Sequence, residues 1–259
     1  MKTYRGYLLD LDGTIYRGKE VIPEAVAFIR ELRKANIPFL YVTNNSTTTP
    51  ELVAQRLSDM GIETAADEVY TSSMGAAAYL QERYPAGTDV YTIGEAGLHA
   101  ALAEIGCKQV AEGAKVVIAG MDRAFTYEKL AAAATAIRHG AQFIATNRDP
   151  ALPTERGLMP GSGSLIAAIA TASGVEPVVI GKPERILVDY ALERLGTSRE
   201  ETLIVGDNLL TDIGAGTNSG IDSLLVLTGY SRQEDLETSN WQPTHLAKDL
   251  MEWWQKCQA

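Results

Sequence analysis

Short apolar runs alternate with amphipathic segments along almost the whole chain. Runs bounded by turn residues predict strands at residues 7–11, 39–43, 90–93, 116–119, 143–146, 202–205 and 223–227. Between the first two runs, Pro23 opens a predicted helix that Asn36 ends, and Thr49 and Gly61 bound a second helix. Strands that alternate with helices are typical of βαβ units, so the sequence predicts an α/β fold with a parallel sheet.

Residues 84–178 continue this alternation and predict a second α/β unit. Within it, residues 147–163 contain three prolines and three glycines, too many for a regular element. Two interpretations fit this segment, a lid or binding loop and a hairpin with a long irregular tip. Near the end of the chain, residues 250–254 are amphipathic and have charged neighbours, which predicts a packing helix rather than a membrane anchor.

Composition narrows the class of protein. The chain has 259 residues, 46% of them hydrophobic, which suits one large α/β unit or a core with an inserted unit. Its net charge of −10 argues against a nucleic-acid partner, because phosphodiester backbones repel an acidic protein. No apolar run approaches the roughly 18 residues of a membrane span, and no signal-peptide pattern is present. We therefore expect a cytoplasmic protein without a membrane partner.

Cysteines and histidines point to no metal or redox chemistry. Cys107 and Cys257 lie far apart in the sequence, without the short spacing of a zinc site, and are expected to be free thiols. The histidines, His99, His139 and His245, are scattered singly, and a lone histidine is more often structural than a ligand. We therefore assign them no catalytic role.

Two carboxylates lie at the C-terminal end of the first predicted strand. Asp10 and Asp12 are separated by one residue, so strand alternation points both toward the crevice where open α/β sheets bind ligands. Carboxylates this close repel each other, and a divalent cation between them removes that cost. Gly13 permits a sharp turn, and the Thr14 side chain is expected to hydrogen-bond back to the loop. The alternative interpretation is an ordinary Asp-Gly turn that closes a strand.

Other strand ends supply further polar groups. Thr43 and Asn44 end the second strand and suggest a phosphate cradle, although polar turns after strands are common without any ligand. Lys182 offers a positive charge that can pair with both a phosphate and a carboxylate, and the alternative is a solvated surface lysine. Asp207 directly follows a strand and Asp212 begins a helix, so they supply carboxylate oxygens of the kind that magnesium prefers.

These motifs together resemble those of the haloacid dehalogenase (HAD) superfamily. In order, they are Asp-x-Asp-Gly-Thr at 10–14, Thr-Asn at 43–44, Lys182, and Gly-Asp-x₄-Asp at 206–212. From residue 7 to about residue 229 the chain resembles the NagD-like, para-nitrophenyl-phosphatase-type branch, and its 147–163 segment resembles that of Gram-positive acid sugar phosphatases. The resemblance implies a Rossmann-like core with a parallel sheet at 1–83 and 179–259, and an inserted α/β cap domain at 84–178.

The resemblance also implies a mechanism, which is hydrolysis of a phosphate monoester through a phosphoaspartate. Asp10 would attack phosphorus, and Asp12 would protonate the leaving oxygen and then deprotonate the water that cleaves the acyl phosphate. Mg²⁺ would be held by the Asp10 carboxylate, the Asp12 backbone carbonyl and Asp207.

The same resemblance assigns the phosphate-binding groups. Thr43, the Asn44 amide and Lys182 would hold the phosphoryl oxygens, and Asp212 would orient Lys182 or a water on the metal. Asn208 departs from the family, in which related sequences often carry arginine, so we assign it no catalytic role.

Small acid sugar phosphates are the substrates that the resemblance and the cap residues favour. Asn147, Arg148 and Asp149 are the candidate specificity residues, and Arg148 or Arg156 suits a substrate carboxylate or second phosphate. Nucleoside monophosphates and pyridoxal phosphate are alternatives that need an aromatic stacking surface. The segment 147–163 contains no Phe, Tyr or Trp, which favours the sugar phosphates.

Two other functions fit the same fold. A catalytically idle binding protein is one, because fold does not fix function, but both Asp10 and Asp12 are intact. Haloalkanoate dehalogenation is disfavoured because it needs neither Asp12 nor a metal. A homodimer that forms through the cap is implied by the resemblance alone.

Overall fold

The computed structural model describes residues 2–154 and 157–258. The strands in this part of the chain are β1 (Gly6–Leu9), β2 (Tyr16–Arg17), β3 (Glu20–Val21), β4 (Phe39–Thr43), β5 (Val69–Thr71), β6 (Asp89–Ile93), β7 (Lys108–Gln109), β8 (Val116–Ala119), β9 (Gln142–Ala145), β10 (Ala151–Thr154), β11 (Gly157–Pro160), β12 (Val178–Val179), β13 (Thr202–Gly206), β14 (Asp222–Val226) and β15 (His245–Ala247). The α-helices are α1 (Pro23–Lys34), α2 (Pro50–Asp59), α3 (Ser72–Arg83), α4 (Ala96–Glu104), α5 (Tyr127–Arg138), α6 (Ser162–Ser173), α7 (Arg185–Leu195), α8 (Gly214–Ser219) and α9 (Leu250–Gln258).

The chain folds into two units. The first unit consists of Met1–Thr43, Glu51–Tyr70 and Lys182–Ala259, and the second consists of Asn44–Pro50 and Thr71–Gly181. The second unit therefore contains all of the segment 84–178 that the sequence assigned to a cap, and it also takes in α3. Helix α3 belongs there because it packs against α4, and because the Ser72 hydroxyl donates to the Asn44 carbonyl at 2.6 Å.

A six-stranded sheet forms the centre of the first unit, in the order β15-β14-β13-β1-β4-β5. Strand β1 pairs in parallel with both β13 and β4, with Tyr7 opposite Leu203 and Phe39. All four residues of β1 are buried, which explains its uninterrupted apolar sequence, since a central parallel strand is covered on both faces. The predicted α/β class with a parallel sheet is confirmed.

Helix α1 covers one face of this sheet for reasons visible in its sequence. Pro23 occupies the first helical position, where its missing N–H costs nothing. Ala25, Phe28, Ile29 and Leu32 follow at helical spacing and are buried in the core of the first unit. The helix ends before Asn36, which adopts a φ of 52°, a left-handed conformation that asparagine tolerates better than most residues.

The second unit has its own parallel sheet, in the order β12-β9-β8-β6-β7. Its core is built from apolar residues of β8 and β9 and of the alanine-rich helices α5 and α6. Following β9, strands β10 and β11 form an antiparallel hairpin in which Ala151 pairs with Pro160 and Thr154 pairs with Gly157. Residues 147–163 thus contain a hairpin, but its strands pair as far as Thr154 and Gly157, so the expectation of a long irregular tip was wrong. A role of this segment as a lid or binding loop stays a prediction. Arg156 lies outside the described residues.

The first strand is shorter than the sequence predicted. It ends at Leu9 rather than at residue 11, because the chain turns tightly there. The Ile15 amide donates to the Leu11 carbonyl at 2.8 Å, and the Gly13 amide donates to the Tyr16 carbonyl at 2.7 Å. The expectation for Thr14 was wrong. Its backbone amide contacts Leu11, but its buried hydroxyl has no hydrogen-bond partner in the part of the chain that the structure describes.

Three further sequence expectations concern the thiols, the histidines and the membrane. Cys107 and Cys257 are both free thiols, as predicted. His245 lies on the edge strand β15, with Nε2 2.7 Å from the Tyr4 hydroxyl and its ring against Trp253, which are structural contacts. Within residues 2–154 and 157–258, no helix is both long enough and apolar enough to cross a membrane.

Replacing Phe28 with alanine is expected to lower the free energy of unfolding of the first unit by about 3–5 kcal/mol, because the fully buried ring packs edge-on against Tyr7 and Trp254. Urea denaturation followed by tryptophan fluorescence measures this, since all three tryptophans belong to the first unit. Leu52→Ala, whose side chain is 58% exposed, is the control and should change stability by less than about 0.5 kcal/mol. Equal stability of the two variants would contradict the packing described here.

Candidate active site

Polar groups gather at the carboxyl ends of three neighbouring strands of the first unit. Asp10 follows β1, Thr43 ends β4 and Asp207 follows β13, and these strands are adjacent in the sheet. In a parallel sheet the carboxyl ends of adjacent strands meet at one edge, which is where open α/β sheets bind their ligands. The sequence prediction that these strand-end residues lie at one edge of the sheet agrees with this topology.

Lys182 forms the central ion pairs of the site. Its Nζ lies 2.6 Å from Oδ1 of Asp10 and 2.6 Å from Oδ1 of Asp212, and it also donates to the Val42 carbonyl at 3.0 Å. The lysine side chain is only 2% exposed. It is therefore not a solvated surface lysine, and its ammonium links the ends of β1 and β4 to the turn that follows β13.

Asp207 completes a cluster of three carboxylates with Asp10 and Asp212. One oxygen from each lies within 4.8 Å of the others. Asp207 accepts a hydrogen bond from the Tyr230 amide at 2.5 Å, and Asp212 accepts one from the Asn208 amide at 3.1 Å. When all three carboxylates are ionised, the single ammonium leaves two negative charges uncompensated, which is the charge that a divalent cation neutralises.

The pKa values of these groups follow from their burial and their neighbours. Burial raises the pKa of Asp10 well above its usual range; Lys182 opposes this, whereas Asp212 and Asp207 add to it. Burial, followed by repulsion from Asp212, raises the pKa of Asp207 to about 7. Burial alone would lower the pKa of Lys182, but the carboxylates of Asp10 and Asp212 outweigh it and raise that pKa. Lys182 is therefore protonated and positively charged. Its single charge is too small to keep the pKa values of Asp10 and Asp207 in their usual range.

Three glycines give the carboxylates their space. A Cβ atom at Gly13 or at Gly229 would overlap the Asp207 carboxylate, and one at Gly206 would overlap Asp212. Gly13 also has a φ of 91°, a conformation that side chains disfavour. Because no larger residue fits at these positions without displacing an acid, the surrounding chain is shaped around the carboxylates. Their oxygen ligands and excess negative charge fit a magnesium ion.

Asp12 differs from Asp10 in its surroundings. Its side chain is exposed, and it is not among the three clustered acids. Leu11, between the two aspartates, is buried in the core of the first unit. Asp12 therefore has a solvent-accessible carboxylate beside the cluster, and its backbone forms an isolated bridge to Tyr16.

Asn44, Asn147 and Asp149 meet within the second unit. The Asn44 side-chain amide donates to both Asp149 oxygens at 3.1 and 3.2 Å. The Asn147 amide donates to the Asn44 carbonyl at 2.8 Å, and its Oδ1 accepts from the Asp149 amide at 3.0 Å. These contacts connect the loop after β4 to the loop after β9. Of the residues predicted for substrate specificity, the buried Asn147 and the half-buried Asp149 are therefore engaged in a hydrogen-bond network.

Arg148, the third of those residues, lies in a different environment. Its guanidinium donates to the Glu176 carboxylate, and both side chains are exposed. The positive charge that the sequence assigned to substrate recognition is therefore already paired with a carboxylate of the same unit.

Sequence analysis did not identify the loop after β14 as part of the site. The Ser231 amide donates to the Asp207 carbonyl at 3.0 Å, and the Tyr230 amide donates to the Asp207 side chain. The Leu209 amide donates to the Ser231 hydroxyl at 3.0 Å. The sequence offered one signal, a Gly-Tyr-Ser turn directly after a strand. As a result, residues 229–231 hold both the backbone and the side chain of Asp207 in place.

Two family models match this chain. A model described as haloacid dehalogenase-like hydrolase matches residues 7–108, and a second, described as HAD-hydrolase-like, matches residues 179–253. The first match includes Asp10, and the second includes Lys182, Asp207 and Asp212. The clustered acids and the lysine that pairs with them therefore lie in the matched segments.

Characterised relatives match along nearly the whole chain. The 5'-nucleotidase YutF of Bacillus subtilis is 48% identical over 98% of each chain. An acid sugar phosphatase of Staphylococcus saprophyticus is 46% identical over 97% of each chain. The structure of a double mutant of the thermostable NPPase from Geobacillus stearothermophilus has a TM-score of 0.92 and 48% identity, covering 98% of this chain and 99% of the other. Similarity of this extent establishes that the chain belongs to the haloacid dehalogenase-like hydrolase family.

Proposed function

We propose that this protein is a magnesium-dependent phosphatase that hydrolyses small phosphate monoesters through a phosphoaspartate at Asp10. The observation that supports this most directly is the arrangement of Asp10, Lys182 and Asp212 beside Asp207. It provides a nucleophilic carboxylate, a fixed positive charge for phosphate and an acidic cation site at one sheet edge. The names of several relatives, which are phosphatases or a nucleotidase, support the same reaction.

The reaction requires two carboxylates with different tasks. A carboxylate oxygen of Asp10 attacks phosphorus and forms an acyl phosphate while the ester P–O bond breaks. Asp12 gives its proton to the departing oxygen, then takes a proton from the water that attacks the acyl phosphate and releases inorganic phosphate. The exposed position of Asp12 suits this role, since it must reach both a leaving group and a water.

The phosphoryl oxygens need positive charge and N–H donors. Lys182 supplies the charge, and Asp212 holds the ammonium in place together with Asp10. Thr43 and the Asn44 backbone amide, at the end of β4, supply a hydroxyl and an N–H.

Magnesium fits the acidic pocket. The Asp10 carboxylate, the Asp12 backbone carbonyl and Asp207 would hold the ion. Among the residues that the structure describes, no cationic side chain forms an ion pair with Asp207. When bound, the ion would offset the excess negative charge that otherwise repels an incoming phosphate. The glycines around Asp207 and Asp212 leave space for these ligands.

Small acid sugar phosphates and nucleoside monophosphates are the two substrate classes to separate. The relatives include an acid sugar phosphatase and a 5'-nucleotidase. A preference for acid sugars would require Arg148 to exchange Glu176 for a substrate carboxylate. Three further predictions belong to this proposal. The α/β unit at residues 84–178 acts as a cap that restricts the active site to small molecules. The protein is cytoplasmic, and it forms a homodimer.

Asp10→Asn is expected to abolish turnover of p-nitrophenyl phosphate, because an amide cannot act as an anionic nucleophile. Asp12→Asn should lower kcat by roughly 10²–10⁴-fold, the usual contribution of a positioned proton donor. Asp67→Asn, which alters an exposed carboxylate elsewhere in the first unit, is the matched control and should retain wild-type activity. Circular dichroism verifies that each variant is folded. Activity above a few per cent in Asp10→Asn would exclude the covalent mechanism.

Removing divalent cations with EDTA is expected to abolish turnover, and magnesium should restore it. Calcium should restore little activity, because it is larger and prefers more ligands. As a second measurement, magnesium should raise the thermal unfolding midpoint of the wild type more than that of Asp207→Asn, since the ion binds only the folded site. Full activity in excess chelator would refute the metal requirement, and equal shifts in both proteins would remove Asp207 from the site.

A further inference from the structure

Two large apolar side chains are exposed beside the carboxylate cluster of the first unit. Tyr230 is 77% exposed, and Leu210 is 55% exposed. Single exposed apolar residues are ordinary on a protein surface and need no explanation. These two differ because each lies on a loop whose backbone holds one of the clustered acids.

The backbone at Tyr230 is fixed by Asp207. The Tyr230 amide donates to the Asp207 carboxylate at 2.5 Å, and the next amide, of Ser231, donates to the Asp207 carbonyl at 3.0 Å. A Cβ at the preceding Gly229 would overlap the same carboxylate. Tyr230 therefore leaves the backbone immediately beside the acidic pocket, on a segment with little freedom to move away.

Leu210 is held in a similar way on the neighbouring loop. Its amide donates to the Asn208 side chain at 2.9 Å, inside the turn that runs from Asp207 to Asp212. The two loops are joined by the hydrogen bond from the Leu209 amide to the Ser231 hydroxyl, 3.0 Å long. Leu210 and Tyr230 each lie one residue from this bond, so both leave the backbone next to the point where the two segments meet.

Exposed apolar side chains on segments that contact a carboxylate cluster suit a substrate with one polar, phosphate end and one apolar end. We propose that Tyr230 and Leu210 are specificity-determining residues that contact the leaving group of the phosphate monoester, with the Tyr230 ring stacking on a planar aromatic group such as a nucleobase. This inference rests on the proposed phosphatase function and selects nucleoside monophosphates over simple sugar phosphates. Aromatic faces favour offset or edge-to-face contacts with other rings, and aliphatic side chains pack against either.

Tyr230 is an aromatic stacking surface of the kind that an aromatic substrate needs. Residues 147–163 contain no aromatic side chain, which in the sequence favours sugar phosphates over nucleotides as substrates. Tyr230 provides such a surface on the first unit, next to the acids rather than in the hairpin. In the described part of the chain its ring stacks on no other ring and lies under no cation, so it is available to a ligand.

The test compares two substrates that differ only by the base, adenosine 5'-monophosphate and ribose 5-phosphate, with magnesium present. Wild type should show a higher kcat/KM for adenosine 5'-monophosphate. Tyr230→Ala should lower that value by about 3- to 10-fold while changing kcat/KM for ribose 5-phosphate by less than about 2-fold, because only the base loses a stacking partner. Tyr230→Phe should keep the wild-type ratio, and Leu210→Ala should reduce it in the same direction.

Tyr127→Ala is the matched control, because Tyr127 is 78% exposed but lies at the start of α5 in the second unit. Its substrate ratio should equal that of the wild type. Equal kcat/KM for both substrates in wild type, or equal losses for both in Tyr230→Ala, would overturn the inference and leave the phosphatase function standing. A folded wild type that hydrolyses neither these nor p-nitrophenyl phosphate would instead overturn the proposed function, and the inference with it.

Discussion

The buried ammonium of Lys182, held between Asp10 and Asp212, is the interaction on which the site depends. Removing a charge from water costs several kcal/mol, so this lysine is tolerated only because two carboxylates and the Val42 carbonyl surround it. Those partners come from the ends of β1 and β4 and from the turn after β13. The same contacts therefore join three parts of the fold and set the charge of the pocket. Asp207 is the acid that the ammonium does not pair with, which is why the pocket suits a cation.

Tight packing around the acids restricts where specificity can arise. Gly13, Gly206 and Gly229 leave no room for side chains next to the carboxylates, so the floor of the pocket consists of backbone and acids. The carboxylates and the ammonium act on phosphate, which every phosphate monoester shares, and so do not distinguish one leaving group from another. Discrimination must come from side chains farther out. On the first unit, the exposed Tyr230 and Leu210 occupy that position.

The sequence predicted the parts of the site that leave a local pattern. Apolar runs located the strands, and polar residues directly after them identified Asp10, Lys182 and Asp207. It could not reveal contacts between distant segments, such as the hydrogen bond from the Ser231 amide to Asp207. The same limit explains why sequence analysis did not identify the loop after β14. It also explains why the Thr14 hydroxyl, expected to bond to its own loop, has no partner among the residues that the structure describes, since both features depend on how the chain turns back on itself.

Charge and stacking differ in how much selectivity they can add at this site. Arg148 already pairs with Glu176, so a substrate carboxylate would replace one exposed ion pair with another. Exposed pairs contribute only about 0.2–1 kcal/mol, and the gain from such an exchange is a difference between two values of that size. The Tyr230 ring has no stacking or cationic partner within residues 2–154 and 157–258, so a base that packs on it replaces only water. Stacking of two rings contributes about 0.5–1.5 kcal/mol beyond the area it buries, and none of it is spent on breaking an existing contact. On these magnitudes, an aromatic leaving group gains more from this surface than an acidic sugar gains from Arg148.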